Sequence, residues 1–367
     1  MRFFVTAPQG TEAVLLEELR ELGLSRIKPR GLGAEFSGRF ADAFRVCLHS
    51  RIAGRVLWTL AEFPLRGEQD LYDAVREITW EEHLDEARTL SVRAAGSAPG
   101  LTHTNFVGQR TKDAIVDRLR DRIGARPSVS RDDPDVGVFV RLSRGRGTVS
   151  LDLSGQSLHR RGFRGATGAA PLKENVAAAV VRLSGWDRKT PFVDPMCGAG
   201  TLCIEADHWA RRVAPGLARE RFGFQRWLSH DARLEREFAR LVERAKAAAV
   251  AEGPEVVGSD HQPLVIAAAQ EHAQAAGARV QFRLADVSAL ASTVPAGTVC
   301  SNTPYGERIH APDSLWQRLA DALAAISPGH HVAMLLGPGS KLRVPPYATS
   351  HALLNGTIEC RLARWTT

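Results

Sequence analysis

Cysteine is scarce in this chain and poorly spaced for pairing. Only Cys47, Cys197, Cys203, Cys300 and Cys360 occur, and no two stand in C-x-x-C register. An odd count without that spacing argues against both a disulfide framework and a zinc ribbon, and reduced thiols in a cytosol are expected. Long apolar runs are missing too. None approaches the ~20 residues needed to cross a bilayer. The opening MRFFVTAPQG lacks the apolar core and cleavage signature of a secretory leader. A cytoplasmic location without a membrane partner follows as the expectation. His83, His103, His159, His208 and His310 show no metal-ligand spacing, so no metal is expected. No internal repeat or low-complexity tract is visible.

The 367 residues suggest two or three domains. The apolar fraction of 44% and charged fraction of 24% are those of a globular protein that can build large cores. The net charge of +7 is unevenly spread. Between Arg110 and Arg164 stand 13 Lys and Arg against 7 Asp and Glu, so that stretch holds nearly all of the excess. Clustered cations of this kind suit a polyanion such as RNA.

The organisation reads as three units. Residues 1–63 alternate short strands and helices, an α+β pattern. Residues 64–157 hold two helices and three strands, two of them joined by the turn Arg144-Gly145-Arg146-Gly147. The second helix, over 106–123, carries Val107, Ala114, Ile115 and Leu119 on one stripe. Arg110, Lys112, Arg118, Arg120 and Arg122 lie elsewhere on it. They form either a solvated face of ion pairs or an RNA-facing surface. Residues 155–168 read as a Gly/Arg/Ser-rich linker. From 158 to 367 helices and strands alternate, which predicts a mainly parallel, Rossmann-like sheet with helices on both faces. Its first helix is expected over 171–183 and a later one over 232–252.

Within this last unit, Asp194-Pro195-Met196-Cys197-Gly198-Ala199-Gly200-Thr201 follows a strand and opens a helix. Doubly wound sheets bind nucleotides there. Glycine allows close backbone approach, and the helix N-terminus offers N–H groups to a carboxylate. Cys197 and Cys203 read as small packed residues rather than nucleophiles. Asp260 ends the next strand, where it can hold both ribose hydroxyls. Asp286 ends the third, where it can accept from an adenine amine. Either aspartate alone is equally a helix N-cap. Three such residues on successive strands together specify an adenosyl ligand. A nicotinamide dinucleotide site is disfavoured because Gly198-Ala199-Gly200 runs on into Thr201-Leu202-Cys203, without a third glycine.

After the fourth strand comes Asn302-Thr303-Pro304-Tyr305, which resembles the Asn-Pro-Pro-Tyr loop of methyltransferases acting on an exocyclic base amine. The chemistry agrees. Such an amine is a poor nucleophile because its lone pair is delocalised into the ring. The Asn302 side-chain oxygen and the carbonyl of Thr303 can hold its two protons and favour pyramidal nitrogen, while Tyr305 stacks on the flipped base. Threonine at 303 departs from the usual proline, and its freer φ lowers the expected rigidity.

The resemblance covers essentially the whole chain. Phe4-Val5-Thr6-Ala7-Pro8-Gln9-Gly10-Thr11-Glu12, Asp132-Asp133-Pro134-Asp135-Val136, the run from Asp152 to Arg164, Ala170-Pro171-Leu172-Lys173-Glu174 and Asn355-Gly356-Thr357-Ile358-Glu359-Cys360 carry it. They are similar to bacterial THUMP-containing large-subunit (23S) rRNA guanine-N2 methyltransferases of the RlmL/YpsC type. The resemblance implies a ferredoxin-like domain over 1–63, a THUMP RNA-binding domain over 64–157 and a class I methyltransferase domain over 158–367. It implies S-adenosylmethionine as cofactor and 23S rRNA or a pre-50S particle as partner, and it leaves the oligomeric state open. Phe163, Arg164, Pro171, Lys173 and Glu174 are implied to close over the methionine end of the cofactor, with Pro171 at the first helical position. Some such proteins carry a second methyltransferase domain, not expected beyond Thr367 here. The alternatives are a tRNA guanine-N2 methyltransferase and a catalytically weak ribosome assembly factor. DNA adenine-N6 enzymes share the loop, but the basic N-terminal half argues for RNA.

Overall fold

The computed structural model describes residues 1–164, 172–290, 296–305 and 312–367. Period-two burial shapes its first strand: in β1 (Arg2–Thr6) Phe3 and Val5 are fully buried, with Phe4 on the opposite side. The N-terminal half continues through α1 (Glu12–Glu21), β2 (Lys28–Pro29), β3 (Gly33–Ser37), α2 (Phe40–His49) and β4 (Arg55–Pro64). Then come α3 (Glu68–Arg76), β5 (Thr89–Gly96), α4 (Thr104–Ile123), β6 (Ser128–Val129), β7 (Val136–Ser143) and β8 (Arg146–Asp152). All eight strands form one sheet, in the order β2-β3-β1-β4-β8-β7-β5-β6. Its seam is the antiparallel β4–β8 pair, bulged between Thr59 and Ala61. Leu15, Phe44, Leu71 and Ile115, from α1 to α4 in turn, enter one buried cluster with Phe3, Val138 and Leu151 of the sheet. The helices therefore cover one face of the sheet.

Four of the five cations of α4 are paired. Arg110 meets Glu68 at 2.7 Å, Lys112 meets Asp113 at 3.0 Å, Arg118 meets Glu81 at 2.7 Å and Arg120 meets Asp117 at 3.7 Å. Arg122 has no carboxylate within ion-pair distance among the described residues, and both readings of this helix stand.

The C-terminal half runs through α5 (Glu174–Leu183), β9 (Phe192–Asp194), α6 (Thr201–Ala210), α7 (Ala232–Ala248), β10 (Val256–Asp260) and α8 (Pro263–Ala276). It ends with β11 (Gln281–Leu284), β12 (Thr298–Asn302), α9 (Asp313–Ala324), β13 (His331–Leu336), β14 (Thr349–Asn355) and β15 (Ile358–Thr366). The strand order is β11-β10-β9-β12-β13-β15-β14, and only β15 runs against the rest. From β9 the chain winds first to β10 and β11, then crosses to β12 and β13. The switch point lies between β9 and β12, where such sheets bind ligands.

Two helix starts and stops differ from the sequence pattern. Helix α5 opens at Glu174 with extended Lys173 as its N-cap, so the helix does not begin at Pro171, which itself lies outside the described residues. Helix α7 stops at Ala248 because Ala249 turns to extended backbone.

The Gly/Arg-rich connector after β8 is a packed joint where a loose linker is expected. Arg161 is 3% exposed. Its guanidinium donates to the carbonyls of Arg51 and Leu158, both at 2.6 Å, and to Glu205 Oε1 at 3.1 Å. Arg51 donates across to the carbonyls of His208 and Val213. Arg219 holds the connector from outside, donating to the carbonyls of Ser154, Gln156, Ser157 and Arg160 at 2.9–3.1 Å. Glu205 is the carboxylate within ion-pair distance of both Arg161 and Arg51. Glu205→Ala should therefore destabilise the protein by about 3–5 kcal/mol, read as a fall in urea midpoint. Glu205→Gln should lose less, and a loss below about 1 kcal/mol for alanine would show that the carbonyls alone hold both arginines.

Candidate active site

Four polar residues stand at the carboxyl ends of four neighbouring parallel strands: Asp286 just beyond β11, Asp260 on β10, Asp194 on β9 and Asn302 on β12. Asp194 is 1% exposed. Its Oδ1 accepts from the Ser301 hydroxyl at 2.6 Å and the Met196 amide at 3.2 Å. Burial nevertheless pushes the carboxyl up to about 7.

The loop after Asp194, through Pro195 and Met196, is tied to the end of β10. The Cys197 amide donates to the Ser259 carbonyl at 2.9 Å, and the Gly198 amide to Asp260 Oδ2 at 3.2 Å. Cys197 and Cys203 are buried in the apolar core. Gly200 caps α6 at φ +80°, and a Cβ there would lie 2.7 Å from the Phe282 ring, so glycine is required. The first N–H groups of α6 thus open next to the loop.

Asp286 performs the simple capping that either sequence position allows, whereas Gln262, not Asp260, stands at the N-cap of α8. Asp260 Oδ1 accepts from the Gln262 amide at 3.0 Å ahead of α8. Asp286 Oδ1 accepts from the Ser288 amide at 3.0 Å, which holds its carboxyl below the usual range. Both carboxylates keep lone pairs beyond these bonds.

Arg164 ties the connector to both helices beside the loop. Its Nη2 donates to Thr201 Oγ1 at 2.6 Å and to the Leu172 carbonyl at 2.7 Å, and its Nε lies 3.3 Å from Glu174 Oε1. Burial raises the Glu174 carboxyl while Arg164 opposes the shift. Phe163 packs with Ile204 and Ala273, between α6 and α8. Lys173 is exposed at the α5 N-cap.

Asn302 presents a buried side-chain oxygen, Oδ1, with no hydrogen-bond partner among the described residues. Threonine at 303 does not leave the loop slack. It is fully buried, and both its hydroxyl, at 2.8 Å, and its amide, at 3.1 Å, donate to the Leu335 carbonyl on β13. A hydroxyl anchor replaces the fixed φ of proline. Pro304 is half-buried. The Tyr305 ring lies against Gly337, where a Cβ would come 2.2 Å from Cγ, and its hydroxyl accepts from Asn355 Nδ2 at 3.0 Å. Burial raises the phenol further beyond its normal range.

Sequence reasoning missed Ser301, Gly337, Asn355 and the Leu335 carbonyl as members of this site. Only Asn355 carried a signal, through the near-terminal motif. That motif starts at the last residue of β14, which docks on the N-terminal loop: Leu354 donates to the Gln9 carbonyl at 3.0 Å, and His351 Nε2 lies 2.5 Å from the Gly10 carbonyl. Among the described residues no group of three His, Cys, Asp or Glu side chains is assembled for a metal, and no helix is long and apolar enough to cross a membrane.

The strand order and the polar residues at the switch point define a Rossmann-like methyltransferase domain, preceded by a ferredoxin-like and a THUMP module. Family models agree: an RlmL ferredoxin-like domain matches residues 2–57, a THUMP domain 66–152 and an RMKL-like methyltransferase domain 161–332. The chain carries matches to all three domain models, in that order. It is similar to the ribosomal RNA large subunit methyltransferase K/L of Pseudomonas paraeruginosa, 40% identical over 98% of this chain and 52% of that one. It is likewise similar to the protein of the same name from Syntrophotalea carbinolica, 39% identical over 99% and 53%. The chain thus spans about half the length of these curated relatives. Among solved structures, the methyltransferase SMU.472, complexed with SAH, matches with TM-score 0.86 at 28% identity over 99% of this chain and 97% of that one. A predicted N6-adenine-specific DNA methylase from Listeria monocytogenes matches with TM-score 0.86 at 26% identity over 99% and 95%.

The anchors around Tyr305 generate a graded expectation. Thr303→Val should lose about 1 kcal/mol in thermal unfolding through the lost hydroxyl bond, whereas Thr303→Ser should keep most of it. Equal melting of the two variants would show that the amide bond alone suffices.

Proposed function

We propose that this chain transfers a methyl group from S-adenosylmethionine to the exocyclic N2 of a guanosine in large-subunit 23S rRNA, in the cytoplasm, with the base flipped into the Asn302-Thr303-Pro304-Tyr305 loop. The observation that carries this reading is the buried Asn302 oxygen at the switch point, which has no hydrogen-bond partner among the described residues. An acceptor left without a partner there costs free energy that an amine donor of a ligand removes.

The residues present fit the cofactor. The opening turn of α6, from Gly200 and Thr201, offers N–H groups to its carboxylate, and buried Asp194 offers an acceptor to its ammonium. Asp260 would take the ribose hydroxyls and Asp286 the adenine amine. Phe163, Arg164, Lys173 and Glu174 flank that loop in this reading, Arg164 through its bond to Thr201, and Pro171, outside the described residues, is assigned to the same group from the sequence alone. Pro195, Met196, Cys197 and Gly198 supply the backbone wall. S-adenosylmethionine, when bound, supplies a methyl group on a sulfonium that leaves readily as a thioether.

The chain's own residues then act by orientation. Asn302 Oδ1 and the Thr303 carbonyl accept hydrogen bonds from the two amine N–H groups and turn the nitrogen lone pair toward the methyl group; as the N–C bond forms the S–C bond breaks to leave the thioether, and the nitrogen then releases one proton to solvent. Thr303 fixes that loop on β13. Pro304 and Tyr305 bound the base pocket, with the ring held by Asn355.

Incubation with labelled cofactor and unmodified 23S rRNA, tRNA or DNA tests the reading. N2-methylguanosine should appear in 23S rRNA. Label in tRNA or DNA alone, or N6-methyladenosine as the product, would overturn it. Asn302→Ala should abolish turnover while leaving binding of S-adenosylhomocysteine nearly unchanged.

Asp194 adds a pH dependence. Its folded carboxyl ionises near pH 7, above its ordinary 3.8, so the protein holds a proton there below that pH. A bound ammonium favours the ionised form. Affinity for S-adenosylhomocysteine, measured calorimetrically, should therefore rise as pH goes from 6 to 8. Asp194→Asn should bind more weakly and show a flatter profile; the same slope in the variant would remove Asp194 from this role.

A further inference from the structure

The N-terminal sheet has a second face that the helices α1 to α4 do not cover. Register fixes its members. Phe4 lies across from Leu57 on β4, Thr59 from Ser150 on β8, Ser150 from Phe139 on β7, and Phe139 from Arg93 on β5. Phe4 and Phe139 are both half-buried, one from each side of the β4–β8 seam. Arg141 places its guanidinium 5.0 Å from the centre of the Phe4 ring. A shallow depression between the rings is floored by Thr59, Thr148 and Ser150.

Charge on this face is asymmetric. Glu62 takes Arg2, Arg30 and Arg146, Glu35 also takes Arg30, and Asp152 takes Arg55. Arg93 and Arg141 have no carboxylate within ion-pair distance among the described residues. Four arginines thus meet three carboxylates, and the two left over, Arg93 and Arg141, flank the two rings. Helix α4, by contrast, has four of its five cations matched to acids.

We propose that this open face binds a single-stranded segment of RNA, its bases stacking on Phe4 and Phe139 and its phosphates meeting Arg93 and Arg141. The proposal rests on the reading that the substrate is RNA. Rings stack on exposed base faces, and a duplex hides those faces. Unmatched guanidinium groups beside rings complement a phosphate backbone. Threonine and serine hydroxyls between the rings suit the polar edges of splayed bases. Because the face crosses the seam, neither module contains it alone.

The test is equilibrium binding of full-length protein to an unmodified 23S rRNA transcript over a range of salt. Phe4→Leu with Phe139→Leu keeps apolar bulk and should weaken binding roughly tenfold with little change in salt slope. Arg93→Gln with Arg141→Gln should weaken binding and flatten the slope by about 1.4. Melting temperature and S-adenosylhomocysteine affinity should match wild type in both pairs. A single-stranded oligonucleotide should compete better than its duplex. Variants that bind the transcript like wild type, or a duplex that competes equally, would overturn the surface while leaving the enzyme reading intact. Wild type that binds no RNA would overturn both. Wild type that methylates a different base, with both variant pairs weakened, would overturn the enzyme reading and support the surface.

Discussion

Two arginine charges held out of water at the joint between the halves constrain the rest of the molecule. Arg161 and Arg51 are buried beside the carboxylate of Glu205, and both also donate to backbone carbonyls, Arg51 to His208 and Arg161 to Arg51. Removing a guanidinium from water is costly, and the cost is recovered only when partners stand in fixed positions. The Arg51 and Arg161 positions therefore specify how the N-terminal sheet sits on the Rossmann-like domain. Hydrophobic contact alone, being non-directional, would tolerate sliding.

A second line of contacts runs from the same N-terminal unit to the Asn302 loop. The carbonyls of Gln9 and Gly10 meet β14, Asn355 is the last residue of that strand, and its side-chain amide holds the Tyr305 hydroxyl. The half that would grip RNA and the loop that would receive the base are thus linked through a short hairpin. Asp194, Asp260 and the 194–200 loop are by contrast held within the Rossmann-like domain by Ser301, Ser259 and the Gly198 amide. The proposed cofactor site is independent of the N-terminal half; the proposed base site is not.

Much of the C-terminal architecture is legible in the sequence because its signals are local. Strands β9, β10 and β12 end in Asp or Asn, and Asp286 stands two residues beyond β11. What is not legible depends on distant partners. Nothing near Arg161 reveals that its donors end on Arg51 and Glu205, so a Gly/Arg-rich stretch reads as a linker whether its arginines face water or carbonyls. Thr303 reads as a loss of rigidity because its anchor, Leu335, is 32 residues further along. The pairing of β4 with β8 joins strands about 90 residues apart, and period-two burial does not say which strand is the neighbour. The cations of α4 posed the same problem, since Glu68 and Glu81 lie on other elements.

The β4–β8 seam also bears on how the protein comes apart. Two domain families meet in one sheet, and their helices share one buried cluster. Cutting the chain between them would leave two raw sheet edges and split an apolar core, each a hazard for aggregation. The ferredoxin-like and THUMP modules are therefore separate units of descent but a single unit of folding, and local opening of one cannot proceed far without exposing the other.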